Sequence, residues 1–458
     1  MELPSLLGTS FACDCGRTHH VPVRRFLYQV GVLGALPQIV REDGGGSACT
    51  VIVADTRTWE IGGQQVANAL KEAESRVARV IVPDPPQRGP AAHASRAGRP
   101  RDDHGPVCDD VTVRALVERL RGERPGLVVA VGSGVINDLS KWAAFQLGVP
   151  YVVVATAASM NGYASANVAP TIEGVKVLIE ARAPTAVLAE PAVLEQAPHE
   201  MTAAGFGDTI AKHQSGADWV MNRFLSDEYY CRFCAGLITD IEPLYLDRPE
   251  DIRDGRPRAV QGLFEALFWT GMAMTLVGTS VPASGGEHLF SHTLDMMAQV
   301  QGESHDLHGR QVGIGTLLSA ALYQRVLVLE SPALGSLPPS IDEHLWSVPS
   351  VAAAVTEQYE SKKQRWGPIR QKIAQRDGWD RLRATLAAEV KSPETIRTWL
   401  RRAGAAARPA DIGCSRERVR SAILHMHEIR KRFTIVDLAW LAGVLPGSAD
   451  DLIDQWLA

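Results

Sequence analysis

Two patterns in this chain carry residues able to do chemistry. The first is a glycine-rich turn in residues 129–141, VAVGSGVINDLSK, where an apolar run enters G-x-G-x-x-x-D and helix-forming residues follow. Glycines at such a turn let backbone N–H groups approach an anion, and the helix start adds partial positive charge, so a pyrophosphate fits there. The spacing is neither the G-x-G-x-x-G of dinucleotide folds nor a Walker A loop. A tight strand-to-helix turn, with Asp138 merely favouring the helix start, is the plainer alternative. A second turn, residues 156–165 (TAASMNGYAS), brings hydroxyls to the end of the next apolar run, where parallel strands gather ligands.

The second pattern is a set of acids and imidazoles. Asp208 sits in GFGDTIAK, and His288 and His292 in GEHLFSH share one helical face at i,i+4. His305 and His308 follow in GESHDLHG. One carboxylate and two imidazoles would hold a divalent metal and leave positions open for a substrate oxygen. Histidines that merely pack in a core are the plainer reading of each position taken alone.

Elements that could position these residues are legible around them. Runs at 48–54, 77–82, 126–131 and 151–155 are apolar throughout and rich in Val and Ile, with helix-like stretches at 63–75 and 111–121 between them. That rhythm predicts parallel strands covered on both faces. The fold class is therefore α/β: a doubly wound parallel-sheet, dinucleotide-binding domain over residues 1–197. From about residue 198 the apolar period becomes helical, through 203–222, 260–277, 287–297 and 312–327. An all-helical metal- and substrate-binding domain is expected over 198–458, its C-terminal extension packed against the metal half and broken near Gly367 and Pro393. Residues 83–107, rich in Pro, Gly, Ala and Arg, read as a disordered surface loop.

Composition excludes several classes. With 47 Lys+Arg against 52 Asp+Glu the 458-residue chain has a net charge of −5, and only nine of those bases are lysines without clustering, so nucleic acid is not an expected partner. No run reads as the roughly 20 apolar residues that span a bilayer, and no basic start precedes the short apolar run at the N-terminus, so neither membrane nor secretion is expected. Seven cysteines, an odd number, suit free thiols in a reducing cytoplasm. Cys13 and Cys15 with His19 and His20 lack a familiar zinc spacing, so no metal role is expected of them. Cys231 and Cys234 form a C-x-x-C inside a helical stretch with no strand before it, which argues against a redox motif.

Taken in order, GSGVINDLSK, T-x-x-S-x-N-G-x-x-S, AAGFGDTIAK with ADW after it, PASGGEHLFSH and LHGRQVG resemble a known family. It is the sn-glycerol-1-phosphate dehydrogenase branch of the iron-containing alcohol dehydrogenase and dehydroquinate synthase superfamily. The resemblance runs from about residue 31 to 327, with 47 positions from Asn161 to Asp208 and 80 from Asp208 to His288. It implies NAD or NADP held by Gly132, Gly134, Val135, Ile136, Asn137 and Asp138, assisted by Thr156, Ser159 and Ser165. Asp55 would meet the adenosine ribose, its other reading being a helix cap. Asp208, His288 and His308 would ligate one divalent ion, zinc before nickel or iron, making Asp208 catalytic through the metal.

The same resemblance places His292 beside the substrate as a proton relay. Lys212 would reach a phosphate or form a surface ion pair, and His305 matches nothing in the family. A small phosphorylated substrate and a possible homodimer are implied. The reaction expected is interconversion of a ketone phosphate and a polyol phosphate, most directly dihydroxyacetone phosphate and sn-glycerol 1-phosphate. Asn161 departs from the branch, which carries an Asp there that contacts substrate. Another phosphorylated or phosphonate polyol is therefore an alternative, as are a cyclase of the dehydroquinate synthase type and a silent dinucleotide-binding subunit.

Overall fold

A computed structural model describes residues 2–44, 49–73, 75–85, 105–303 and 305–458. Most of the 83–107 stretch read as a loop lies outside the described residues. The chain opens with a small hairpin, β1 (Ser10–Ala12) and β2 (Thr18–His20), and then enters a six-stranded sheet. The sheet contains β3 (Arg25–Tyr28), β4 (Cys49–Ala54), β5 (Val77–Ile81), β6 (Pro125–Gly132), β7 (Tyr151–Ala155) and, after the short antiparallel pairs of β8 (Asn167–Val168) with β11 (Ile179–Glu180) and β9 (Thr171–Ile172) with β10 (Val175–Lys176), β12 (Ala186–Ala189). All neighbours are parallel in the order β3-β12-β7-β6-β4-β5.

The four strands read from sequence are β4 to β7. The short β3 and β12, which carry no long apolar run, extend the sheet beyond them. Every residue of β4, β7 and β12 is buried, as continuous apolar strands covered on both faces must be. Alternation sorts them: Val51, Val53, Val128, Ala130 and Val153 meet Leu116, Leu120, Ile136 and Leu139 of two helices on one face. Ile52, Val129, Val131 and Val154 meet Ile39, Val40, Val66 and Leu70 on the other. The first of these clusters continues without a break into the helical half through Phe206, Phe264, Phe290 and Tyr323. At the sheet edge Phe26 stacks on Phe268, 4.2 Å between centroids, and on Phe264 at 5.5 Å.

The second half is helical. Its main helices are His199–Ile210, Lys212–Ser226, Pro257–Val277, Gly286–Gln301 and His308–Leu327. Pro257–Val277 is long and apolar enough by composition to cross a membrane, contrary to the sequence reading, but 83% of its apolar window is buried inside the protein, where it forms the centre of the core. The expected break at Gly367 is also absent: helix Pro349–Ala374 runs through Gly367 and Pro368, while Pro393 begins a new helix at N1, where a missing N–H costs nothing.

Two glycines set the closest approach between helices. A methyl group on Gly207 would overlap the carbonyl oxygen of Gly309, and one on Gly309 would overlap that of Ala204, so helices His199–Ile210 and His308–Leu327 touch backbone to backbone. Asp208 and His308 are the immediate chain neighbours of these glycines. Gly207→Ala or Gly309→Ala is expected to push the helices apart, costing about 1–3 kcal/mol and lowering divalent-metal affinity together with the melting temperature. Calorimetry and metal titration on each variant check both effects.

Candidate active site

A cleft of ≈ 650 Å³ lies where the C-terminal ends of the strands face the helical half. In sheet order β4 lies between β5 and β6, and the chain leaves β4 toward one sheet edge and β6 toward the other. That reversal is the topological switch point at which open α/β sheets bind ligands. The glycine-rich turn leaves β6 there and helix Gly134–Leu147 starts at its second glycine. Ser133, Gly134, Val135 and Asp138 line the cleft, as do Ser159 and Ser165 of the next turn.

The rest of the expected dinucleotide set lies behind that lining. Ile136 is packed into the core, and the wholly buried Asn137 donates to Asp138 Oδ1 at 3.0 Å. The Thr156 amide donates to the Gly132 carbonyl at 3.3 Å, so both residues serve the β6–β7 junction. Asp55 is a helix cap: its Oδ1 accepts from the Thr58 amide at 2.7 Å, and Thr58 Oγ1 accepts from the Asp55 amide at 3.0 Å. It ends β4, beside the turn that leaves β6.

Sequence inspection passed over the residue that holds these two turns together. Lys141 is fully buried, and its Nζ donates to the Gly162 carbonyl at 2.7 Å, the Asn167 carbonyl at 3.0 Å and Ser165 Oγ at 3.1 Å, with Asp138 Oδ1 at 3.4 Å. A buried ammonium with all donors used locks the 161–167 loop onto helix Gly134–Leu147.

Asp208, His288 and His308 come together across three helices, each offering one ligand atom within 4.8 Å of the others. Asp208 Oδ2 accepts from the Asn161 amide at 2.8 Å, while its Oδ1 is buried without a hydrogen bond among the described residues, 3.4 Å from His288 Nε2. His288 Nδ1 is 2.9 Å from Glu287 Oε1. His308 Nδ1 is 2.9 Å from Ser291 Oγ, whose proton goes to Gln311 Oε1 at 2.8 Å. Both rings therefore spend Nδ1–H on a partner and present the Nε2 lone pair to the centre, the arrangement that orients histidine ligands on a metal. An orphaned carboxylate oxygen and two imidazoles so aimed fit a divalent cation.

The carboxylates draw positive charge to this centre, either as a proton on His288 Nε2 or as a cation that displaces it. Burial alone would raise Asp208, but the neighbouring His288 holds it below the usual carboxylate range. Burial opposes protonation of His288, yet Asp208 and Glu287 raise it to about 9; burial and then His288 lower His308 to about 4. His292 lies one turn along, its ring centroid 5.5 Å from that of His308, and its Nδ1 has no partner among the described residues. Burial, followed by the Arg430 cation, keeps it well below its ordinary value, so the ring is neutral.

Asn161 lines the cleft and its Nδ2 is buried without a partner among the described residues. Lys212 does not reach the cleft. It follows Asp208 by one turn, but the helix breaks at Ala211; burial lowers its ammonium to about 8, against the opposing pull of Glu242. His305 is half exposed beside Asp295, at 3.3 Å. In Lys212's place the structure supplies Lys176 and the run Arg430, Lys431 and Arg432, all lining the cleft. No ion pair engages Lys176 or Arg430 among the described residues. The run stands in the C-terminal extension, where three consecutive bases were the only sequence signal.

A glycine-rich turn at a switch point, opposite a carboxylate–imidazole cluster, fits the class that the comparisons show, a metal-dependent, NAD(P)-linked oxidoreductase. Residues 28–198 match the family model described as iron-containing alcohol dehydrogenase. The chain is 30% identical over 439 residues to the glycerol-1-phosphate dehydrogenase [NAD(P)+] of Geobacillus stearothermophilus, covering 95% of this chain and 96% of the relative. It is 34% identical over 273 residues to the protein of the same name from Thermococcus kodakarensis, covering 60% and 70%. A probable glycerol dehydrogenase from Sinorhizobium meliloti shares the fold, with a TM-score of 0.57 at 15% identity over 94% of this chain and 98% of that one. The chain belongs to the glycerol-1-phosphate dehydrogenase family of the iron-containing alcohol dehydrogenases.

The partners of the ligand rings give a direct test. Glu287→Ala and Ser291→Ala each free one Nδ1 and are expected to weaken divalent-metal affinity by about 10–100-fold. Chelator competition measures this, with circular dichroism showing an unchanged fold.

Proposed function

We propose that the chain reduces dihydroxyacetone phosphate to sn-glycerol 1-phosphate and catalyses the reverse oxidation, with zinc as the ion. The observation that carries this reading is the pairing, in one cleft, of the Asp208–His288–His308 centre with the cations of Lys176 and Arg430. Both cations act on the His292 ring, and Lys176 also acts on His308, so they stand within electrostatic reach of the metal centre. A small ketone phosphate presents a carbonyl for a metal and a phosphate for cations, and this cleft offers residues for both.

Asp208, His288 and His308 would hold the cation, which when bound polarises a carbonyl oxygen and stabilises the alkoxide formed from it. The turn at Ser133–Asp138 would hold the dinucleotide, whose nicotinamide carries the hydride. The chain's own residues do the rest. Lys176 and Arg430 bind the phosphate and fix the position of the reacting carbon. Asn161 Nδ2, otherwise unsatisfied, donates to a substrate oxygen and adds no negative charge beside Asp208. Neutral His292 takes the hydroxyl proton in the oxidation direction and returns it in reduction. Seven free thiols suit the reducing cytoplasm in which we place the protein.

The assay is consumption of reduced nicotinamide with dihydroxyacetone phosphate, with chiral analysis of the product and metal analysis of the enzyme. Turnover of a sugar phosphate without net loss of the reduced cofactor would instead identify a cyclase. Arg430→Ala is expected to raise KM for the ketone phosphate by about 10–100-fold, the worth of one charge-assisted hydrogen bond. KM for the dinucleotide should stay unchanged, and steady-state kinetics with each substrate varied distinguishes the two.

A further inference from the structure

Far along the chain from either turn, four soft donors converge. Cys13, Cys15, His19 and Cys231 each offer one ligand atom within 4.8 Å of the others. Cys13 Sγ lies 3.7 Å from Cys231 Sγ, and His19 Nε2 lies 3.4 Å from both Cys15 Sγ and Cys231 Sγ. The three cysteines are free thiols, and none of the four residues lines the cleft. Tetrahedral zinc with Zn–S near 2.3 Å puts its sulfurs about 3.8 Å apart and a sulfur and a nitrogen about 3.6 Å apart. The three observed distances are within about 0.2 Å of the corresponding edges.

The surroundings are arranged for a cation as well. The β1–β2 hairpin turns at Gly16, in the left-handed region at φ 84°, with the Cys13 amide donating to the Arg17 carbonyl, so Cys13 and Cys15 both lie in one tight turn. His19 Nδ1 is 3.1 Å from the Leu276 carbonyl, which commits its proton there and turns the Nε2 lone pair onto the sulfurs. The Cys234 amide points at Cys231 Sγ at 3.4 Å, and the Tyr229 hydroxyl lies 3.0 Å from Cys15 Sγ. Arg17 sits over the Tyr229 ring, 3.4 Å from its centroid. Hydrogen bonds to sulfur and a nearby guanidinium offset the excess negative charge of three thiolates around a divalent ion. Phe11 and Phe233, 5.1 Å apart in an edge-on pair, wall the cluster. His19 and Cys231 are buried.

We propose that Cys13, Cys15, His19 and Cys231 form a second, structural metal site that binds zinc and staples the N-terminal hairpin to the helical half. Its four positions are filled by protein, so it has no opening for substrate and takes no part in the redox reaction. It closes a span of 218 residues between Cys13 and Cys231 and anchors the end of helix Pro257–Val277 through Leu276. Cys234, whose Sγ lies 4.0 Å from His19 Nε2, is the amide donor of the site rather than a ligand. The C-x-C pair, His19 and the first cysteine of the C-x-x-C, each uninformative alone, make up one Cys₃His set.

Protein purified from zinc-supplemented cells and passed through a desalting column is expected to hold about two zinc ions per chain by mass spectrometry. His288→Ala should retain about one, and Cys231→Ser should lose the other while keeping the one in the cleft. His288→Ala loaded with cobalt(II) should show a thiolate-to-cobalt charge-transfer band in the near ultraviolet and the intense visible bands of a tetrahedral site. Zinc content unaffected by Cys231→Ser overturns the proposal, as does a cobalt spectrum without thiolate bands or a Cys13–Cys231 disulfide found by non-reducing peptide mapping. Should Cys231→Ser fail to fold, the cobalt spectrum of the unsubstituted chain decides the matter by itself.

Discussion

Asp208 and His308, a hundred positions apart, can share one cation only because the backbones of their helices touch. Gly207 and Gly309 face each other with no room for a side chain, and Gly315 on the same helix meets the carbonyl of Glu287, which precedes His288. Three ligands thus come from three helices whose separation is set by van der Waals contact of main chain rather than by flexible side chains. A site built on such rigid elements holds its ligand atoms to within a fraction of an ångström, which a metal centre requires. The glycines that sequence inspection places in the motifs are there for packing as much as for ligand approach.

A second node transmits this order to the C-terminal extension. Asp218 is buried and accepts from the Gly286 amide at 2.7 Å, the Ile435 amide at 2.8 Å and the Tyr323 hydroxyl at 2.6 Å. Burial and the neighbouring Glu287 push it up to about 7 even so. Through one carboxylate it fixes the start of the helix that carries His288 and the segment that follows Arg430. The wholly buried pair Lys362–Asp437, at 2.7 Å, ties the same segment to helix Pro349–Ala374. Burying either partner alone would be far more costly than burying both, so this pair specifies where the extension docks. The extension is therefore part of the cleft wall and delivers its cations, beyond packing against the metal half.

The two halves meet in the loop after β7. The Asn161 amide reaches Asp208 on the metal side, and Lys141 grips Gly162, Ser165 and Asn167 from the dinucleotide side. One short segment thus sets the distance between the place for a nicotinamide and the place for a cation. Hydride transfer depends steeply on that distance.

Much of this was legible before any coordinates. Continuous apolar runs announced β4 to β7, since strands buried on both faces need no polar residue, and the change to helical period near residue 198 announced the second half. Five motifs in order marked the turn, Asp208, His288, His292 and His308. What escaped were contacts whose meaning depends on an absent neighbour. Short β3 and β12 are strands only because β7 and helix Pro257–Val277 stand beside them. Lys141 is a clamp and Lys212 is not, although both follow an aspartate by one turn, because one helix runs on and the other breaks. Arg430 and the Cys13–Cys15 pair meet their neighbours only where the chain returns on itself. Periodicity and motif order are local and survive in one dimension. Coordination, charge pairing and phosphate binding need atoms within a few ångströms that lie tens to hundreds of residues apart, and only packing decides which of them meet.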